Sequence, residues 1–157
     1  MLTPNPEYIR ELIHIVNNSP YPSHMSMRLA AIDIDSANID LETGQCHLQP
    51  YGIVHGGVLA TLIDTATFWA AFMRIPEDAG LVNIDLKLNY LRPVTSGRLK
   101  ALGQAIRSGR TVSYAEARVS DENGELIAHG TSTLMTIPGK GLKMKAKKFI
   151  NKETPNK

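Results

Sequence analysis

Residues 6–18 carry the spacing of a short amphipathic helix. One face holds the apolar side chains Ile9, Leu12, Ile13 and Val16. Glu7 lies in the first turn, where the helix dipole favours an acid. After a proline-rich stop, the pattern of Met27–Leu41 indicates two strands that are broken near Asp35.

The segment His55–Met73 differs from the rest because Asp64 is its only charged residue. It follows a loop at Gly44–Val54, and its apolar residues lie nearly all round a helix, which is typical of a buried helix or a membrane span. A carboxylate at the centre of a bilayer would cost about 2.5–3.5 kcal/mol. The segment is therefore predicted to be a helix buried inside a soluble protein.

The remainder of the chain is strand-like. Residues 82–89 alternate between apolar and polar with period two, and strands are predicted at Arg98–Arg107, Thr111–Ser120 and Glu125–Ile137. A turn at Asp121–Gly124 closes the last hairpin, with Gly124 suited to a positive φ. Short turns imply an antiparallel meander, so the class is α+β, with a sheet curled around one buried helix.

Length and composition describe one ordinary globular domain. The chain has 157 residues, 43% hydrophobic and 20% charged, which excludes a disordered chain, a fibre and a disulfide scaffold. Cys46 is the only cysteine, so neither an intrachain disulfide nor a cysteine-rich zinc site is possible. No secretory signal is evident, and we expect a reducing cytoplasm.

Charge is distributed unevenly along the chain. Residues 138–157 hold seven lysines and one acid, and the remaining 10 basic and 14 acidic residues give residues 1–137 a net charge of about −4. We therefore expect one domain over 1–137, followed by a solvated, Lys-rich tail. The alternative is that some lysines contact an anionic ligand or surface. A nucleic-acid partner is not expected, because the folded body is not basic.

Candidate chemistry lies at the predicted central helix. Gly56 and Gly57 leave backbone N–H groups uncovered at its positive end, which suits a ligand oxygen; the alternative is that they permit close helix–sheet packing. Asp64 must be paired, hydrogen-bonded or protonated, because a bare buried carboxylate is costly. It is either a functional acid or a buried Asp that accepts hydrogen bonds from neighbouring threonines.

Other site classes have no support in the sequence. The remaining histidines lack metal-ligand spacing, so no metal site is predicted. There is also no phosphate-binding loop, no dinucleotide fingerprint and no nucleophile elbow of a serine hydrolase.

The spacing between the two candidate groups has a consequence for assembly. Gly56 and Asp64 are eight residues apart, which on one straight helix is roughly 12 Å. An oxyanion donor and a base must both lie about 3 Å from the reacting centre. If both act in one reaction, Gly56 of one subunit must meet Asp64 of another, and the protein must be at least a dimer.

At these residues the chain resembles the hotdog-fold acyl-CoA thioesterases, in their PaaI-like branch. That family has a Gln or Asn six positions before His-Gly-Gly, a Gly three before it and an acid nine after the His. The matching residues here are Gln49, Gly52, His55-Gly56-Gly57 and Asp64. The similarity continues through residues 83–93 and 109–131 and covers roughly residues 26–137.

The resemblance implies a long helix wrapped by an antiparallel sheet, and homodimers or homotetramers with composite sites at the dimer interface. Gly56 would donate its N–H to the thioester carbonyl, and Gln49 would bind the same region or position the substrate. Asp64 of the partner subunit would act as nucleophile or as general base on water. His55 would orient the reacting groups or assist the leaving thiolate.

Substrate contacts follow from the same resemblance. Asn83 lies where relatives often carry Ser or Thr near the attacking water. Coenzyme A, which is part of the substrate rather than a cofactor, brings phosphates, and the candidates to bind them are Arg107, Arg110 and Thr111. The alternative is that these residues form an ordinary solvated hairpin.

Two other functions remain as alternatives. A non-catalytic acyl-CoA-binding protein would share the fold, but usually with a DNA-binding module that this short N-terminal helix cannot supply. A hydratase or dehydratase also uses a His and an acid, normally in a different local sequence. Phenylacetyl, benzoyl, hydroxynaphthoyl and medium-chain acyl groups all remain open, as do dimer or tetramer and the role of the tail.

Overall fold

The computed structural model describes residues 2–151, with helix α3 at the centre. The elements in chain order are β1 (Leu2–Pro4), α1 (Pro6–Asn17), α2 (Pro20–His24), β2 (Met27–Asp33), β3 (Ser36–Glu42), a 3₁₀ turn (Gln45–His47), α3 (Gly56–Phe72), β4 (Gly80–Tyr90), β5 (Arg98–Ser108), β6 (Val112–Ser120), β7 (Leu126–Ile137) and β8 (Phe149–Asn151). No helix within residues 2–151 has the length and hydropathy needed to cross a membrane.

Strands β2 to β7 form one antiparallel sheet in the order β2-β3-β5-β6-β7-β4. Two predicted turns are confirmed: Asp35 has φ +64° between β2 and β3, and Gly124 has φ +82° between β6 and β7. The α+β class with a curved sheet around a helix is therefore confirmed, and β2 and β4 are the edge strands of this sheet.

Helix α3 packs directly against the concave face of the sheet. A Cβ on Gly103 of β5 would lie 2.1 Å from the backbone oxygen of Ala66, so only glycine permits the observed distance between helix and strand. Leu62, Ile63 and Ala66 are completely buried in this contact layer. The predicted buried helix is confirmed, and its first and last residues fall within one of the predicted ends.

The predicted alternation of β4 is interrupted by a β-bulge. The register with β7 shifts between Asn83 and Asp85, so Ile84 is the extra residue. The bulge leaves Val82 and Ile84 37% and 55% exposed, while Asn83 is partly buried. The strand predicted at residues 82–89 is therefore confirmed, with a bulge that the alternation did not indicate.

The expectation of a solvated C-terminal tail is wrong for part of that segment. β8 pairs with β1, and Lys148 is only 1% exposed. Its ammonium donates to the carbonyls of Phe72 and Ile75 at 3.1 and 2.8 Å and lies 4.5 Å from the centre of the Phe72 ring. The lysines at 140, 143, 145 and 147 are exposed as expected, and those at 152 and 157 lie outside the described residues.

Candidate active site

A tight turn positions the residues before α3. The Gly52 N–H donates to the Gln49 carbonyl at 2.9 Å, and the Gln49 N–H donates to Ile53 at 2.9 Å. Gly52 has φ +75°, a conformation that favours glycine. This turn leads the chain from Gln49 back to Gly56, and the two residues line one cavity of about 370 Å³, called here the Gly56 cavity.

The start of α3 has one free backbone donor. His55 is the N-cap, and its Nδ1 accepts from the Gly57 N–H at 2.8 Å. Within the described part of the chain the Gly56 N–H donates to no protein acceptor. The expectation that both glycine N–H groups are free therefore holds for Gly56 and not for Gly57.

Tyr90 is a site residue that the sequence did not single out. It lines the Gly56 cavity from the end of β4. A Cβ on Gly56 would lie 3.0 Å from both Cζ and Oη of this tyrosine. The only sequence signal was its place in the resemblance, because its approach to Gly56 depends on the pairing of distant strands.

Asp64 lies near the middle of α3 and is half-buried. Its Oδ1 accepts a hydrogen bond of 2.6 Å from Nδ2 of Asn83. Burial raises the pKa of Asp64 above its ordinary value, and the bond from Asn83 opposes that rise. The neighbouring Thr67 hydroxyl donates to backbone carbonyls instead, so a strand residue rather than a helix threonine holds this carboxylate.

Asn83 has one polar atom without a protein partner. Its Oδ1 is buried and accepts no hydrogen bond from any described residue. The Nδ2 of the same amide is the atom that contacts Asp64, so Asn83 holds the carboxylate while its own oxygen is buried away from solvent.

Asp64 lines a second cavity of about 270 Å³, called here the Asp64 cavity. Its lining comes mainly from α1, α2 and α3, with Met27 of β2 and Leu142, and it shares no lining residue with the Gly56 cavity. The two groups therefore lie in different cavities of one chain, in agreement with their separation along the helix.

The three candidate phosphate ligands come together at the turn between β5 and β6. Arg107, Arg110 and Thr111 line a third cavity of about 330 Å³. This cavity shares no lining residue with the other two. Over residues 2–151, no three His, Cys, Asp or Glu side chains come close enough to hold a metal ion.

A curved antiparallel sheet around one helix, with a free N–H at the helix start and a half-buried acid at its middle, defines a hotdog-fold thioesterase. The family model described as the thioesterase superfamily matches residues 51–128, and the chain belongs to this family. It is an enzyme that hydrolyses thioesters.

Solved structures and curated relatives agree with this assignment. A thioesterase from Haemophilus influenzae is 28% identical, with a TM-score of 0.78 over 88% of this chain and 96% of its own. A thioesterase family protein from Silicibacter pomeroyi is 25% identical, with a TM-score of 0.76 over 83% and 98%. A 1,4-dihydroxy-2-naphthoyl-CoA hydrolase from Listeria monocytogenes is 24% identical over 70% of this chain and 89% of its own.

Proposed function

We propose that the enzyme hydrolyses an aryl- or alkyl-CoA thioester to the free acid and coenzyme A, with no cofactor. The name of the Listeria relative supports a CoA ester as the substrate class. The observation that carries the proposal is the half-buried Asp64, held at 2.6 Å by Asn83 on an otherwise uncharged helix.

Asp64 acts as a general base on water. A raised pKa brings a carboxylate closer to the operating pH, where a base is most effective. Asp64, held by the Asn83 Nδ2, takes a proton from a water, and the water oxygen bonds to the thioester carbon. The C–S bond then breaks, and the leaving thiolate of coenzyme A receives the proton from Asp64.

The free N–H of Gly56 stabilises the oxyanion. It lies at the positive end of α3, where a backbone donor aimed at developing charge contributes most. Gln49 lines the same cavity and positions the thioester carbonyl. His55 is exposed and commits its Nδ1 to the helix cap, which leaves its Nε2 to meet the substrate.

The reaction uses Gly56 of one subunit and Asp64 of another. The edge strand β4 carries Asn83, and the bulge beside it exposes Val82 and Ile84. Pairing of this edge with its copy would cover both apolar side chains and extend the sheet. The same pairing would bring the two subunits together beside the residue that holds Asp64.

The phosphates of coenzyme A bind at the turn between β5 and β6. Arg107 and Arg110 supply charge, and the Thr111 hydroxyl supplies a donor, in a cavity of about 330 Å³. This location keeps the phosphates apart from the carboxylate of Asp64.

The test is thiol release from a panel of aryl- and alkyl-CoA esters. Asp64→Asn keeps the shape and the contact with Asn83 but cannot accept a proton, so kcat should fall by about 10³. Asp85→Asn is the matched control, because Asp85 lies on β4 in an exposed pair with Lys87. Wild-type turnover by folded Asp64→Asn would refute the base role, and CoA-ester binding without any turnover would favour a non-catalytic protein.

A further inference from the structure

We propose that the Asp64 cavity binds the acyl group of the thioester, and that this group is uncharged, apolar and of intermediate size. The inference rests on the proposed function and assigns the part of the substrate that the catalytic residues leave undefined. Because Asp64 lines the cavity, an acyl group held there lies beside the carboxylate.

The cavity is lined mainly by apolar and aromatic side chains. They are Ile15, Val16, Tyr21, Pro22, Met27, Phe68, Trp69 and Leu142. The rings of Phe68 and Trp69 meet edge to face with centroids 4.9 Å apart and form one wall with fixed geometry. Such a wall favours an aromatic ring or an alkyl chain over a hydrated group.

Two of the three hydroxyl groups in the lining already have protein partners, and the third belongs to Thr65. The Ser19 hydroxyl donates to the Ile15 carbonyl at 2.8 Å, and the Tyr21 hydroxyl bonds to Thr61 at 2.7 Å. Among residues 2–151, Asp64 is the only charged residue of the lining, and no lysine or arginine lies there. An acyl group that carries a carboxylate of its own would lie near the like charge of Asp64 with no cation beside it. Binding of such a group is therefore disfavoured.

The volume of the cavity limits the acyl group. A cavity of about 150 Å³ holds one benzene ring, and this one measures about 270 Å³. It therefore has room for a bicyclic aryl, phenylalkyl or medium-chain group. A short acyl group such as acetyl would leave most of the apolar wall without contact.

Two of the lining residues lie outside the sheet and the central helix. Tyr21 belongs to α2, and Leu142 belongs to the C-terminal segment that follows β7. Leu142 is 39% exposed at the rim, so it can be enlarged or truncated without disturbing the core. These two residues determine specificity, since they close the cavity without taking part in the chemistry.

The first test measures kcat/KM for acetyl-, hexanoyl-, octanoyl-, phenylacetyl- and glutaryl-CoA. In the wild type each added methylene should raise kcat/KM by about threefold to fourfold until the cavity is full, and glutaryl-CoA should be poor. Leu142→Trp should lower the ratio of octanoyl to acetyl turnover at least about tenfold, and Leu142→Ala should move the optimum to longer chains. Ile150→Trp is the control, because Ile150 is 43% exposed in the same segment and does not line the cavity.

The second test does not depend on turnover. Trp69 is the only tryptophan of the chain and lines the cavity, so its fluorescence reports occupancy. S-octyl-CoA, a thioether that cannot be hydrolysed, should change the emission at saturation, whereas coenzyme A alone should not. The inference would be overturned by an unchanged substrate ranking in both Leu142 variants. It would also be overturned if the emission of Trp69 did not change when S-octyl-CoA binds. Loss of hydrolysis with a Trp69 response intact would overturn only the proposed reaction.

Discussion

The two ends of α3 leave opposite backbone groups without helical partners, N–H donors at the start and carbonyl acceptors at the end, and the chain satisfies them to different extents. At the C-terminal end, the buried ammonium of Lys148 satisfies the carbonyls of Phe72 and Ile75. At the N-terminal end, His55 occupies the Gly57 N–H but leaves that of Gly56 free beside a cavity. The end of the helix that contributes only to stability therefore has a side-chain partner for its carbonyls. The end assigned to chemistry keeps a backbone N–H without a partner.

Of the changes at the two ends of α3, the largest expected effect comes from removing the free N–H of Gly56. Gly56→Pro removes the N–H at the first position of the helix, where proline is tolerated, and His55 already has the extended backbone that precedes proline. We expect kcat to fall about 100-fold. Gly56→Ala is the control, because its Cβ makes the same 3.0 Å contact with Tyr90 but the N–H remains. The kcat of Gly56→Ala should fall less than about tenfold. Equal losses of kcat in both variants would show that the contact with Tyr90, rather than the missing N–H, causes the effect.

A smaller effect is expected where β4 meets the middle of the helix. Asn83→Ala removes the hydrogen bond that opposes the rise in the pKa of Asp64, so that pKa should rise further. The acid limb of the kcat/KM profile should move to higher pH, and kcat should fall about tenfold as the carboxylate loses the donor that holds it. Asn89→Ala, on an exposed position of the same strand, should change neither. An acid limb at unchanged pH would show that Asn83 does not influence the pKa of Asp64.

At the closed end the expected effect is on stability. Lys148→Ala removes a buried side chain and leaves two carbonyls without their donor, so the free energy of unfolding should fall by about 2 kcal/mol. The neighbouring Lys147 is exposed, and Lys147→Ala should stay within about 0.5 kcal/mol of the wild type. Denaturant unfolding of both variants measures the difference. Equal stability of the two variants would show that Lys148 does not stabilise the C-terminal end of α3.

A pH dependence of stability is also expected at the C-terminal end of α3. Burial lowers the pKa of Lys148 to about 8, so between pH 8 and about 10.5 the unfolded chain holds a proton that the folded one has lost. The free energy of unfolding should therefore rise across this window. Tyr8, whose pKa burial raises to about 12, acts in the opposite direction above pH 10. Lys148→Met keeps the packing without titrating, and the wild type minus this variant should show the rise.

The sequence was sufficient for the elements with strong periodicity. α3 could be predicted because Asp64 is its only charge, and the hairpins because Asp35 and Gly124 mark their turns. The tail was misjudged because Lys148 reads as one more solvated lysine, and its burial depends on the distant end of α3. β1 and β8 were missed because strands of three residues have too little pattern to detect.

The candidate site likewise has residues that the sequence could predict and contacts that it could not. Gln49, Gly56 and Asp64 could be named because their spacing along one segment carries the signal. The bond between Asn83 and Asp64 depends on a β-bulge, and the place of Tyr90 over Gly56 depends on the register of β4. Both arise from strand pairing, which local sequence does not specify.

The central claim is that one reaction uses Gly56 of one subunit and Asp64 of its partner. The most direct measurement coexpresses Gly56→Pro and Asp64→Asn with different tags and isolates the hybrid. Each parent should be nearly inactive, and the hybrid dimer should recover about half of the wild-type activity, because one of its two sites has both groups intact. A hybrid as inactive as its parents, or a fully active monomer, would contradict the account.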